Sequence, residues 1–234
     1  PFYGGFADVI DTFERTESPR RLKPVNVYYH FYSATSLSSL RALEKIHNWC
    51  LEQPLHPVTA LEYAKMTKDA VNTRVFNLGP RHWLHTNTGH LRTYRLPLDL
   101  GRPVMSQCKG VTGYTEASGS LYVHTQGLPR TEIVLGDTPV EPSSRANAHI
   151  FLASSNAEIE FTGFEAWRAE FRVNGLRPVD AEFHGLPANA VCDVTIDNKI
   201  SSQTTDAKGH LRLSLPQNAH VVIDANRSRY ALVQ

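Results

Sequence analysis

The sequence predicts an α+β protein, with an α/β head over residues 1–75 and an all-β sandwich region over residues 110–234. Two observations predict it. Before about residue 72, apolar residues recur at helical spacing around a β-branched and aromatic run, "VNVYYHF". After Gly110 the helical period disappears, and short β-rich runs follow one another at the roughly 8–12-residue spacing of a sandwich or barrel.

In the head, "FADVIDTFERTE" places Phe6, Val9, Ile10 and Phe13 on one helical face, and the two prolines of "ESPRRLKP" break that helix. "VNVYYHF" reads as a strand. "SLSSLRALEKIHNWCLEQ" places Leu40, Leu43, Ile46 or His47, and Cys50 or Leu51 on one stripe of an amphipathic helix that Pro54 ends. A short extended piece, "LHPV", precedes "TALEYAKM", where Thr59 and Glu62 have capping-box spacing. Two strands and three helices are too few to close a sheet, so the head is expected to be the last part of a larger α/β domain. The first residue, Pro1, is not a translation start, and the same expectation follows from it.

"TRVFNL", "RHWLHTN" and "HLRTYRLP" read as short strands, and residues 76–109 as a β connection. Beyond it, the candidate strands are "SLYVHT", "TEIVL", "AHIFLA", "AEIEFTG", "WRAEFRV", "VDAEFH", "AVCDVTI", "HLRLSL" and "HVVIDA". Turn signals such as Gly119-Ser120 and Asp206-Ala207-Lys208-Gly209 separate them, and the region is expected as one sandwich or two small modules. "DNKISSQTTDAKGHLRLSL" resembles strand-turn-strand stretches of immunoglobulin-like and fibronectin-like modules, which bears on fold alone.

Composition narrows the function classes. The net charge is +1 with acids and bases intermixed, which leaves no electrostatic footprint for nucleic acid. No apolar run approaches the roughly 20 residues of a membrane span. Cys50, Cys108 and Cys192 are far apart, odd in number and without metal-ligand spacing, so no disulfide framework is expected. No nucleophile elbow, phosphate loop or dinucleotide fingerprint is present.

Against this background, "PVNVYYHFYSATSLSSLRALEKIHNWCLEQPLHPVTALEYAKM" resembles the end of a polysaccharide deacetylase barrel. The matching residues are His30 at the end of a late strand, Leu40 with Leu43, Pro57-Val58-Thr59, and Glu62-Tyr63-Ala64. "YYHFYSAT", with "PFYGGF" and "SPRRLKP" before it and "LRTYRLP" and "LYVHT" after it, is similar to the narrower Pel-type exopolysaccharide deacetylases of Gram-negative bacteria. Those are multidomain periplasmic proteins with a glycoside hydrolase domain ahead of the deacetylase domain. The resemblance covers most of residues 1–125 and thins out in the last hundred.

The resemblance implies that residues 1–75 are the remnant of an incomplete α/β barrel and that the protein is periplasmic or secreted. It implies an N-acetylhexosamine-containing biofilm polysaccharide as substrate. Partners would be the upstream domains of the same polypeptide and other exopolysaccharide-export proteins. The family's metal-binding aspartate and histidine pair and its base have no counterpart here, since the chain contains neither an Asp-Asp pair nor a His-x-x-x-His motif. By the resemblance they lie upstream. This chain is therefore expected to bind no cofactor itself, while the complete protein carries a divalent metal such as zinc.

His30 would be the catalytic acid. Expelling an amine from the tetrahedral intermediate of amide hydrolysis requires protonation of the nitrogen, and histidine has an unperturbed pKa suited to that. A lone histidine among tyrosines on a strand is, in general, more often structural. Strand alternation sets Tyr28, His30 and Tyr32 on one face and Tyr29 and Phe31 on the other, making Tyr28 and Tyr32 candidate sugar contacts.

Other candidates carry less. His82 and His85 point to opposite faces of a strand, and the remaining histidines are scattered, with none at useful spacing from a second ligand. Trp83, Tyr94, Tyr114, Tyr122 and Trp167 could stack on sugar rings, although core packing is the commoner fate of such residues. Arg92 and Arg95 form no anion clamp and are expected to pair with acids outside the chain.

Overall fold

The computed structural model describes residues 4–16, 24–137 and 149–225. The chain divides into two compact units, Pro1–Leu55 and His56–Gln234. The predicted helix break at 17–23 lies outside the described residues, as do residues 1–3.

In the first unit, a 3-10 turn (Gly4–Asp8) leads into α1 (Val9–Glu14), and a second one (Phe31–Thr35) precedes α2 (Leu37–Glu52). Ser36 caps α2, its Oγ accepting the Ser39 backbone N–H. The helix ends just before Pro54, which brings no donor to continue it. Ile10, Phe13 and Ile46 form the core, with Val9, Val25, Val27, Trp49 and Cys50 packed on it. Phe13 stacks on Trp49 at 5.7 Å, and the Trp49 indole donates to Glu14 Oε1 at 3.3 Å.

The buried stripe of α2 is Ser39, Ala42 and Ile46, turned by one residue from the predicted stripe. Leu40 and Leu51 are exposed. So small a core covers only a narrow strip of the helix.

Residues 24–30 do not form the predicted strand. They run extended, with Val25 and Val27 turned towards the core, yet join no ladder among the described residues. Alternating β-branched and aromatic residues suit a pleated surface, but a strand also needs a hydrogen-bonding neighbour. The α+β class holds, with three α-helices and many antiparallel strands among the described residues, whereas the barrel remnant is not seen: no sheet forms among those of this unit.

The second unit opens with α3 (Ala60–Asn72), whose capping box is the predicted one. Thr59 Oγ1 accepts from Glu62 N at 3.2 Å, and Glu62 Oε2 accepts from Thr59 N at 2.6 Å. Seven strands follow: β1 (Arg74–Gly79), β2 (His82–Thr86), β3 (Thr93–Pro97), β4 (Arg102–Pro103), β5 (Val111–Ala117), β6 (Ser120–Thr125) and β7 (Arg130–Gly136). They form two sheets, β1-β2-β7-β4 and β3-β6-β5, around Val111, Leu121, Val123, Ile133 and Leu135. Residues 76–109, expected as a connection, thus contribute four strands to a first sandwich.

A second sandwich comprises β8 (Phe151–Ser155), β9 (Glu158–Phe164), β10 (Arg168–Asn174), β11 (Val179–His184), β12 (Val191–Ile196), β13 (Lys199–Thr204), β14 (Leu211–Leu215) and β15 (His220–Asp224). Its sheets, β13-β12-β15-β10-β9 and β14-β11-β8, enclose a larger core centred on Phe171 and Phe183. The sandwiches meet where β5 passes β8: Tyr114 stacks on Phe151 at 4.5 Å, and His124 Nε2 donates to the Ala153 carbonyl at 3.1 Å. Arg92 pairs with Glu158 at 2.7 Å, so its acid lies in this chain, not outside it as expected.

Asp69 ties α3 to the loop between β2 and β3. Its carboxylate is 2% exposed and accepts from Thr88 N (3.1 Å), Thr88 Oγ1 (2.5 Å), His90 N (2.6 Å) and Leu91 N (3.1 Å). Burial by itself raises the carboxyl's pKa, but the donors from Thr88, Leu91 and His90 outweigh it and hold the group below its usual range. A folded pKa below the unfolded one stabilises at pH above the unfolded value, about 3.9, and that contribution disappears as pH falls through the folded value. Asp69→Asn should therefore cost about 3 kcal/mol at neutral pH. Urea unfolding at pH 7 and pH 3 checks this: the gap between parent and variant should shrink at the lower pH, and an undiminished gap contradicts the carboxylate account.

Candidate functional site

In the first unit the structure brings Tyr28, His30 and Tyr32 together. His30 stacks on Tyr32 with ring centroids 4.8 Å apart and 10° between planes, and Tyr28 meets His30 edge-on at 5.2 Å. Tyr29 turns the other way, edge-on to His47 on α2 at 5.9 Å. The alternation read from the sequence thus holds over 28–30 although the strand is absent. Phe31 departs from it, because the 3-10 turn starts there and leaves its side chain 95% exposed.

All three members of the cluster are exposed, and no hydrogen bond or ion pair to the His30 ring occurs among the described residues. The extended backbone presents the imidazole at its end, with a tyrosine ring on either side. Such an arrangement can transfer a proton at the ring and offer flat apolar faces to a ligand. No group of three potential metal ligands among the described residues includes His30.

A second cluster lies on the second sandwich, where sequence reasoning found only scattered histidines. The antiparallel pairing of β11 with β14 sets Glu182 opposite Arg212 and Phe183 opposite Leu211. It brings His184 against His210, whose rings stack at 3.7 Å and 15°. Glu182 Oε1 lies 3.2 Å from His184 Nε2, 3.9 Å from His210 Nδ1 and 3.1 Å from Arg212 Nε. Asp206 Oδ2 is 3.3 Å from His210 Nδ1.

Burial holds His184 below the usual histidine range, with Glu182 opposing in part. Burial also opposes ionisation of Glu182, yet the contacts from His184 and Arg212 keep its carboxyl below the ordinary value. The signal available in the sequence was Glu182-x-His184, two ligand types on one face of a strand. Its partner, 26 positions along the chain from His184, depends on a register that no local pattern specifies.

The remaining candidates have structural roles. His82 faces Glu132 at 3.5 Å, while His85 is buried edge-on to Tyr94 at 4.3 Å. Burial lowers the His85 pKa, which favours the neutral ring. Trp83, Tyr94 and Tyr114 pack on the first sandwich core, Tyr122 is 3% exposed, and Trp167 packs on the second core. The three cysteines form no disulfide among the described residues, and burial pushes Cys192 up to about 11. No helix among the described residues is long and apolar enough to cross a membrane.

No protein-family model, curated protein or solved structure matches the chain.

Proposed function

We propose that this chain is the carboxyl-terminal part of a periplasmic polysaccharide N-deacetylase acting on an N-acetylhexosamine-containing biofilm exopolysaccharide. In this reading His30 protonates the departing amine, Tyr28 and Tyr32 flank the sugar, and the two β-sandwiches are accessory. The metal ligands belong to upstream residues of the same polypeptide, and the residues around His30 do not supply them.

The observation that carries the reading is the exposed Tyr28-His30-Tyr32 cluster at the end of an extended run that has no strand partner among the described residues. Unpaired extended backbone is suited to completion by a neighbouring strand, and exposed rings are suited to sugar faces. The resemblance of residues 24–66 to a deacetylase barrel end points the same way.

In the longer polypeptide, His30→Ala should reduce acetate release from an N-acetylated oligosaccharide on the order of 10²–10⁴-fold. Release equal to that of the parent removes His30 from the chemistry. A second reading treats the β region as a non-catalytic carbohydrate-binding or protein-docking module, and is favoured by the absence of the family's metal ligands from this chain. In the same assay it appears as retention of the polymer with no acetate released.

A further inference from the structure

Three side chains on the second sandwich converge without an obvious structural need. Glu182 and His184 leave the same face of β11, and His210 stands at the entry to β14. One ligand atom from each lies within 4.8 Å of the other two. We propose that Glu182, His184 and His210 form a binding site for a divalent transition-metal ion of the zinc type. The site is independent of the deacetylase reading and is built from residues of this chain alone.

Two imidazoles and a carboxylate are the donor set that zinc, cobalt, nickel and copper prefer over magnesium or calcium. Tetrahedral bonds of about 2.1 Å imply donor separations of about 3.4 Å. The Glu182–His184 and Glu182–His210 separations, 3.2 and 3.9 Å, bracket that value. Because the His184 and His210 rings stack at 3.7 Å, an ion shared by them requires the imidazoles to turn until both nitrogens face it.

His184 Nε2 supplies a second observation. It is shielded from solvent and, although close to Glu182 Oε1, makes no aligned hydrogen bond. A shielded ring nitrogen so poorly aligned with its carboxylate neighbour gains from an ion that its lone pair can reach. An ion beside Glu182 would use it.

The surroundings suit the role. His210 Nδ1 faces both Glu182 and the Asp206 carboxylate, which offers a fourth donor atom. Asp206 is held in place by backbone N–H groups of Lys208 and His210, at 2.8 and 2.9 Å, bonding to its Oδ1. Oδ2 is thereby left turned towards the cluster. Arg212, which bonds Glu182 in the absence of an ion, has a side chain 76% exposed and can swing into solvent without a burial cost.

The test is calorimetric titration of the whole chain, stripped with a chelator and free of any affinity tag, with Zn²⁺, repeated with Co²⁺ and read by visible absorption. The expected result is one Zn²⁺ per chain and the absorption bands of a low-coordinate cobalt site. His184→Ala and His210→Ala should each abolish saturable binding, Asp206→Asn should weaken it about 10–100-fold, and His90→Ala, an exposed histidine elsewhere, should leave it unchanged. Circular dichroism verifies that each variant is folded. Should the alanine variants not fold, Glu182→Gln keeps the side-chain shape and should weaken binding at least tenfold. No saturable binding by the parent, or undiminished binding in Glu182→Gln or in the folded histidine variants, overturns the proposal.

Discussion

Replacing Gly113 with alanine is expected to lower the melting temperature of the unit formed by residues 56–234 by about 8–16 °C, corresponding to about 4 kcal/mol at about 2–4 °C per kcal/mol. Gly113 lies on β5 where the pairing with β6 shifts register, and there β5 passes against the backbone of β8. A Cβ at this position would stand 2.0 Å from the Leu152 carbonyl oxygen, 2.6 Å from its nitrogen and 2.7 Å from its carbonyl carbon. Three backbone atoms cannot yield by changing a rotamer, so the strands must separate.

Separation breaks the Tyr114–Phe151 stack and the His124–Ala153 hydrogen bond. Ordinary overpacking costs roughly 1–3 kcal/mol, and the added loss of these contacts raises the estimate. By contrast, Gly119→Ala meets open space and has only its positive φ of 73° to overcome, at roughly 1 kcal/mol. Thermal unfolding of the two variants side by side checks the claim: equal melting temperatures would mean that the β5–β8 approach carries no weight.

Phe171→Ala is the second large effect, expected to cost about 3–5 kcal/mol. Phe171 is 0% exposed on β10, a central strand of the five-stranded sheet. Its ring contacts Phe183 at 5.3 Å and Phe161 at 5.6 Å, joining the two sheets of the second sandwich. Truncation leaves a cavity walled by β-strands whose pairings on both sides hold them in place, so collapse is limited. Phe76, on the edge strand β1 and 47% exposed, should change stability by no more than about 0.5 kcal/mol when truncated. Urea midpoints of the two variants should differ clearly, and coincident midpoints would contradict this picture of the core.

Much of the β region was legible because burial on one face of a strand writes an alternation into the sequence. "HLRLSL" appears as β14, with Leu211, Leu213 and Leu215 buried and Arg212 and Ser214 exposed. β13 had no such pattern: all six of its residues, Lys199–Thr204, are exposed on an edge strand and carry no alternation, so only the likeness of "DNKISSQTTDAKGHLRLSL" to strand-turn-strand stretches marked it. β5 was missed because Gly113 interrupts the β-rich pattern, and the need for that glycine lies in a strand about 40 residues away. The capping box of α3 was readable in full, because its two hydrogen bonds span only three residues.

The candidate sites divide in the same way. Tyr28 and His30 share a face by virtue of an extended backbone, and Tyr32 joins them on the far side of the turn start. That much follows from local geometry. Whether residues 24–30 pair with another strand depends on a neighbour, and within this unit none is described. Arg92 with Glu158 and His184 with His210 are contacts between distant segments and had no sequence signal.

By itself, then, the sequence determined where α2 stops and how α3 is capped, which strands bury one face, the α+β class, and the common face of Tyr28 and His30. Tertiary structure alone decided the division of the β region into two sandwiches, the absence of a ladder at 24–30 among the described residues, and the meeting of Glu182, His184 and His210. The physical reason is range. Periodicity and capping are interactions within a few residues, whereas strand order and register arise from burying many distant apolar faces at once.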